Sequence, residues 1–117
     1  MGEVFAECKL INREKGLERK VKFLVTGATI PVVPADILKE LKVRVVDRDS
    51  FELASGKSKV FRIGEAAIKL NGKKHIFPVA FGPEKSQPLL GVVVLETFGY
   101  RVDPVSGKLA KRKLLMY

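Results

Sequence analysis

Residues 23–29 read Phe-Leu-Val-Thr-Gly-Ala-Thr, and the strands and turn of the chain are best predicted from here. An apolar segment, residues 21–25, runs into a turn of small residues, 26–29, and a second apolar segment, residues 30–33, follows. Short apolar runs bounded by small, turn-forming residues are typical of β-strands. The stretch therefore predicts two strands joined through a tight turn.

The flanking segments extend this pattern into a mainly-β chain. Residues 4–11 alternate between apolar and polar and are expected to pair with residues 21–25 as a hairpin. Ala54-Ser55-Gly56-Lys57 and Asn71-Gly72 each lie between apolar strands, and Asn-Gly is the preferred pair for a type I′ turn. Another hairpin is predicted around the turn at residues 103–107.

One or two short helices accompany the strands. Residues 34–41 begin with a proline, which suits the first helical turn, and place Ile37, Leu38 and Leu41 on one face. The apolar positions of residues 92–98 allow a second helix, although three consecutive valines lower its propensity. Many short strands with so few helices predict a barrel-like domain.

Chain length and residue content limit the architecture further. The 117 residues are expected to form one domain, residues 1–117, and a hydrophobic content of 46% is enough to bury a core. The single cysteine, Cys8, excludes an internal disulfide and is interpreted as a semi-buried structural thiol. His75 is the single histidine, so a Cys/His zinc cluster is excluded, and we expect neither a metal nor a cofactor.

The sequence also gives an expectation for location. Its apolar runs are shorter than the roughly 18 residues that a membrane span requires. The first residues include Glu3 and Glu7 instead of a basic region that leads into an apolar one. We therefore expect a cytoplasmic protein without a membrane partner.

The net charge of +9 raises the possibility of an anionic partner. The basic residues are spread along the chain, with local concentrations at residues 9–22 and 108–113, and aromatic residues do not alternate with them. This distribution favours a solvated basic surface over a nucleic acid site. The segment 108–117 is interpreted as a strand at a dimer interface, with a frayed tail or an arm for an anionic partner as alternatives.

Taken in order, these segments resemble the retropepsin-like aspartic proteases, meaning retroviral proteases and their cellular, bacterial and archaeal relatives. The family has Asp-Thr-Gly-Ala-Thr where this chain has Val25-Thr26-Gly27-Ala28-Thr29. The hairpin at residues 54–57 stands at the place of the family's flap, and Pro88-Leu89-Leu90-Gly91 matches its Leu-Gly element. The resemblance covers nearly the whole chain and implies the closed β-barrel of the acid protease fold, assembled as a symmetric homodimer.

The resemblance implies roles for particular residues. The catalytic segment is Val25, Thr26 and Gly27, with Val25 at the slot of the family's aspartate and the Thr26 hydroxyl tying the loops of two subunits together. Substrate contacts fall to Ala28 and Thr29 and, in the flap, to Ala54, Ser55, Gly56 and Lys57. The expected ligand is an extended peptide or protein substrate.

The chain lacks the one residue that this chemistry requires, the aspartate before Thr26-Gly27. Val25 either replaces the aspartate, or the aspartate is missing between Val25 and Thr26. An engineered inactive form, a natural degenerate homologue and a residue lost through a sequence error are the three possible origins.

The other aspartates have interpretations of their own. Asp36 is assigned to the first helix, Asp47 and Asp49 to a polar loop, and Asp103 to a turn. Without a dyad the chain is expected to be inactive as it stands. Three hypotheses remain open: an aspartic endopeptidase that has lost its acid, a non-catalytic peptide-binding or dimerisation module, and a basic nucleic-acid-binding protein.

Overall fold

The computed structural model describes residues 3–112. Within this range the chain forms strands and two short helices in the following order: β1 (Phe5–Asn12), β2 (Leu17–Thr26), β3 (Val32–Pro34), α1 (Ala35–Glu40), β4 (Asp47–Glu52), β5 (Ser58–Leu70), β6 (Lys73–Gly82), β7 (Leu89–Gly91), α2 (Val92–Thr97), β8 (Tyr100–Val102) and β9 (Leu109–Lys111). The predicted hairpins and both predicted helices are present.

Six of these strands close into a barrel. The hydrogen-bonded order is β1-β2-β7-β3-β6-β5, and β1 also pairs with β5, which completes the ring. The β2–β7 and β3–β6 pairs are parallel, whereas β1–β2, β1–β5 and β5–β6 are antiparallel. Closure pairs the strand edges that an open sheet would expose. The prediction of a mainly-β, closed barrel with two short helices is therefore confirmed.

The barrel interior is filled by alternate residues of its strands. In β1 the side chains of Ala6, Cys8 and Leu10 are buried, while the residues between them face outwards. Phe23 and Ile68 are fully buried in the same interior. The burial of Cys8 is deeper than the semi-buried thiol that the sequence suggests, and this burial raises the pKa of the Cys8 thiol to about 12.

Each of the two helices packs one apolar face against the core of the barrel. Helix α1 follows Pro34 and buries Ile37 and Leu38. Helix α2 buries Val94 and Leu95 and leaves Val92 and Val93, at its first turn, exposed. Each helix has six residues, so no helix in residues 3–112 is long enough to cross a membrane.

Two assignments differ from the sequence prediction. Asp47 and Asp49 were expected in a loop but lie in β4, because this strand pairs with the first half of β5. Both of these segments are largely exposed, so the strand lacks the apolar alternation that identifies half-buried strands. In the C-terminal segment, β9 pairs with β8, and residues 113–117 lie outside the described range.

Candidate functional site

A groove of about 550 Å³ lies between the turn after β2 and the β4–β5 hairpin. The turn contributes Thr26, Gly27, Ala28 and Thr29 to its wall, and the hairpin contributes Phe51, Glu52, Leu53, Ala54 and Phe61. Apolar residues that follow the turn or lie on neighbouring strands complete the lining: Ile30, Val32, Ala80, Pro83 and Leu89. The fold therefore brings together two segments that the sequence singles out separately.

The Thr-Gly-Ala turn is held in place by the segment Leu89–Gly91. Thr26 pairs with Gly91 in the parallel β2–β7 ladder. A β-carbon placed on Gly91 would lie 1.9 Å from the carbonyl oxygen of Ala28, so glycine at this position lets the turn pack directly on β7. Within the turn the Ala28 N–H donates a 3.0 Å hydrogen bond to Thr26 Oγ1. The turn therefore has a defined shape before any ligand binds.

Val25 and Thr26 point to opposite sides of β2. Val21 and Phe23 are buried, and Val25, the next residue of the same parity, packs against the hydrophobic core. Thr26 has the other parity and lines the groove. A side chain at position 25 therefore faces the interior, whereas the position that follows it on the strand faces the groove.

The β4–β5 hairpin covers the groove with aromatic and aliphatic side chains. Phe51 and Phe61 meet edge to face with ring centroids 5.9 Å apart. The turn is closed by a 2.7 Å hydrogen bond from the Leu53 N–H to the Lys57 carbonyl, with Gly56 at a φ of +85°. Of the four residues predicted to contact substrate here, Ala54 lines the groove. Ser55, Gly56 and Lys57 form the exposed tip beyond it.

Carboxylates are sparse in this groove. Within residues 3–112, Glu52 of the hairpin supplies the one carboxylate of its lining. Asp36 lies on α1, where its carboxylate accepts a 3.0 Å hydrogen bond from the Lys85 N–H, and this bond lowers the Asp36 pKa. Asp103 accepts the Val105 N–H inside its turn, which lowers its pKa in the same way. Asp36 therefore links α1 to the loop that contains Lys85, and Asp103 stabilises its own turn. The described part of one chain does not place two carboxylates together in the groove.

Several groove residues were not identified from the sequence. Phe51 and Phe61 lie on the two strands that flank the predicted flap turn. Phe51 is directly opposite Lys59, and Phe61 follows Lys59 by two residues, so both rings are on the same face of the hairpin. A two-residue periodicity counted outwards from Ser55, through Leu53 to Phe51 and through Lys59 to Phe61, would have indicated this face. Leu89 and Ala80 reach the groove only through the β2–β7 and β3–β6 pairings, for which the sequence carries no local signal.

The described residues also provide no metal centre, since residues 3–112 contain no group of three His, Cys, Asp or Glu side chains that could hold an ion. The groove is therefore an apolar trench with polar backbone groups at its turn.

Comparison of the sequence with protein-family models and with curated proteins found no match.

Proposed function

We propose that this chain is a retropepsin-like aspartic peptidase domain that binds an extended peptide in the groove and lacks the acid needed to cleave it. The observation that supports this proposal is the meeting of the Thr26-Gly27-Ala28-Thr29 turn with the β4–β5 hairpin across one apolar groove. In the family that the motifs resemble, these two segments bind the substrate from opposite sides.

The groove suits a peptide in extended conformation. A strand-like ligand pairs its backbone with polar backbone groups and inserts alternate side chains into apolar pockets. Phe51, Leu53 and Leu89 provide apolar contacts, and the exposed hairpin tip leaves a route by which a peptide enters. Closing the hairpin over the ligand would exclude water from the bound segment.

The chemistry of this family requires two carboxylates that share one proton, because two charges so close together cannot both ionise. One carboxylate takes a proton from the attacking water, and the other donates its proton to the scissile group. Each of these proton-transfer roles contributes about 10²- to 10⁴-fold to the rate. A symmetric dimer of this chain lacks both acids, so it binds peptide without hydrolysing it.

We infer that the missing aspartate belongs between Val25 and Thr26, and not at position 25. Val25 continues the inward series of Val21 and Phe23. Val25 is half-buried, so a carboxylate there would lie against the core, where partial burial disfavours its charged form. One residue inserted after Val25 has the parity that faces the groove and precedes the Thr-Gly pair.

The proposed homodimer is supported by the surface beside the turn. A β-carbon placed on Gly27 would meet nothing within 4 Å in the described structure, so the fold of one chain does not explain why this residue is glycine. Val92 and Val93 follow Gly91 directly and are 43% and 60% exposed. A second copy packed on this surface would cover the valines and bring its own Thr-Gly turn close to Gly27.

A matched pair of variants tests the catalytic proposal. Insertion of Asp between Val25 and Thr26 is expected to produce pepstatin-sensitive cleavage of an extended peptide at mildly acidic pH. Val25→Asp is expected to remain inactive and to lower the free energy of unfolding by about 1–2 kcal/mol, since it places a carboxylate in a half-buried position against the core. An inactive but folded and dimeric insertion variant would contradict the catalytic proposal.

The dimer has a separate test. Val93→Asp is expected to shift the chain towards monomer in sedimentation experiments, because it places a charge on the proposed interface. Val105→Asp is the matched control, since Val105 is 94% exposed in the β8–β9 turn. An unmodified chain that sediments as a monomer at all concentrations would contradict the dimer.

The second candidate function is a peptide-binding module that has no catalytic role. The presence of one carboxylate in the groove lining, instead of a pair, favours this function. The unmodified chain is expected to bind an apolar extended peptide, and Leu53→Ala is expected to weaken this binding about tenfold. Val60→Ala is the control, because Val60 is 63% exposed on the same hairpin, away from the groove lining. Equal effects of the two substitutions would contradict binding in the groove.

A further inference from the structure

Four lysines form a continuous row across the outside of the barrel. Lys9 of β1 lies directly opposite Lys20 of β2 and Lys69 of β5, and Lys69 lies opposite Lys74 of β6. Directly opposed residues project from the same face of a sheet, and adjacent strands are about 4.8 Å apart. These four residues, called the lysine row below, therefore span about 14 Å on one face.

The lysine row is unfavourable for the fold itself. Like charges directly opposite each other on neighbouring strands are destabilising. In residues 3–112 one member has an ion pair, between Lys9 Nζ and Glu18 at 3.1 Å. The remaining lysines of the row are exposed. An anion bound along the row would relieve this repulsion.

The surface around the row is shaped for a narrow ligand. A shallow depression of about 230 Å³ is lined by Lys9, Lys20 and Lys69, and Glu7 also lines it. Glu7 and Glu18 lie two residues away along β1 and β2, on either side of the row. A broad anionic surface such as a membrane would meet these two glutamates, whereas a rod-like polyanion can follow the lysines between them.

We propose that the lysine row binds the sugar-phosphate backbone of duplex nucleic acid without reading its sequence. Lysine contacts phosphate as a point charge, and the row contains neither an arginine for bidentate base contacts nor an aromatic ring for stacking on unpaired bases. The basic residues that look dispersed along the sequence converge here through strand register. The row shares no residue with the groove, so this proposal is independent of the peptide-binding function.

Salt dependence of binding to a labelled duplex DNA measures the number of phosphate contacts. Four contacts predict a slope of log K against log salt of about −3.6, so raising salt from 50 to 200 mM is expected to weaken binding roughly 100-fold. In the full chain, Lys9→Gln combined with Lys69→Gln is expected to reduce the magnitude of this slope by about 2. Lys59→Gln with Lys85→Gln removes the same charge on the β4–β5 hairpin and in the loop between β6 and β7, where both lysines are exposed, and should leave the slope nearly unchanged.

Three results would overturn the proposal. Equal changes of slope in the two double variants would show that net charge, not the row, governs binding. Tighter binding to single-stranded DNA, or to phosphatidylserine vesicles, would assign the surface to a different ligand. Absence of duplex binding at 50 mM salt would exclude the site, and thermal melting of each variant confirms that it is folded in these measurements.

Discussion

The two halves of β5 have opposite environments, although they form one uninterrupted strand. Residues 63–70 are buried except for Glu65 and Lys69, and they pair with β6. Residues 58–62 pair with β4 and are mostly exposed. The barrel half contributes to stability through burial, whereas the hairpin half mainly shapes the groove. This difference indicates that the groove can change its conformation while the barrel stays folded.

The largest expected contrast between the two regions is in thiol reactivity. Cys8 lies inside the barrel with a pKa raised to about 12 by burial, so at pH 8 it holds about a thousandfold less thiolate than an exposed cysteine with a pKa near 8.5. Ser55→Cys in a Cys8→Ala background places a thiol at the hairpin tip. We expect at least about a thousandfold faster alkylation of the tip thiol, measured by mass spectrometry. Similar rates would show that the barrel opens as readily as the hairpin.

The same pKa gives a pH dependence with a definite sign. The unfolded thiol loses its proton from about pH 9, whereas the folded thiol keeps it up to about pH 12. Stability contributed by Cys8 is therefore fully present below pH 9 and falls as the pH rises towards 12. Urea titrations are expected to show a smaller alkaline loss in Cys8→Ala than in the unmodified chain.

Truncating one apolar side chain in each half of β5 provides the next comparison. Ile68 is fully buried, so Ile68→Ala is expected to lower the free energy of unfolding by about 2–5 kcal/mol. Val60 is 63% exposed, so Val60→Ala is expected to change it by less than about 0.5 kcal/mol. Chemical denaturation measures both values. A large loss at Val60 would mean that another molecule or copy covers the hairpin.

The smallest expected contrast uses the turn glycines. Gly72 and Gly56 both have a φ of +85°, so alanine is strained by about 1 kcal/mol at either position. Gly72→Ala is expected to lower global stability by that amount, because its hairpin belongs to the barrel. Gly56→Ala is expected to act mainly on local opening, seen as faster hydrogen exchange at the Leu53 and Gly56 amides. Equal global losses would show that hairpin and barrel unfold together.

The sequence predicts the barrel half of this comparison well. Asn71-Gly72 signals its turn because both residues adopt positive φ, here 48° and 85°. The alternation in β1 and the proline before α1 likewise arise from local chemistry, so they are visible without the structure. Strand β4 was missed at Asp47 and Asp49, because a strand with two exposed faces has no apolar periodicity.

The site was predicted only as far as local motifs reach. The Thr26–Thr29 turn and the flap turn carry recognisable residues, yet their approach depends on pairings between distant segments. The lysine row shows the same limit, since Lys9, Lys20, Lys69 and Lys74 become neighbours only through three strand registers. The inward orientation of Val25 can be predicted from the sequence, because Val21, Phe23 and Val25 are spaced two residues apart along one strand.

The junction between β2 and its turn has a consequence for mutational tolerance. Strands repeat every two residues, so deleting a residue in the middle of β2 would turn Val21 or Phe23 out of the core. At the junction after Val25, the same deletion leaves that inward series intact and alters the turn and the last pair of the β2–β7 ladder. Losing or restoring one codon there is therefore expected to cost less folding stability than the same change in the middle of β2, so selection on stability alone would preserve this position only weakly.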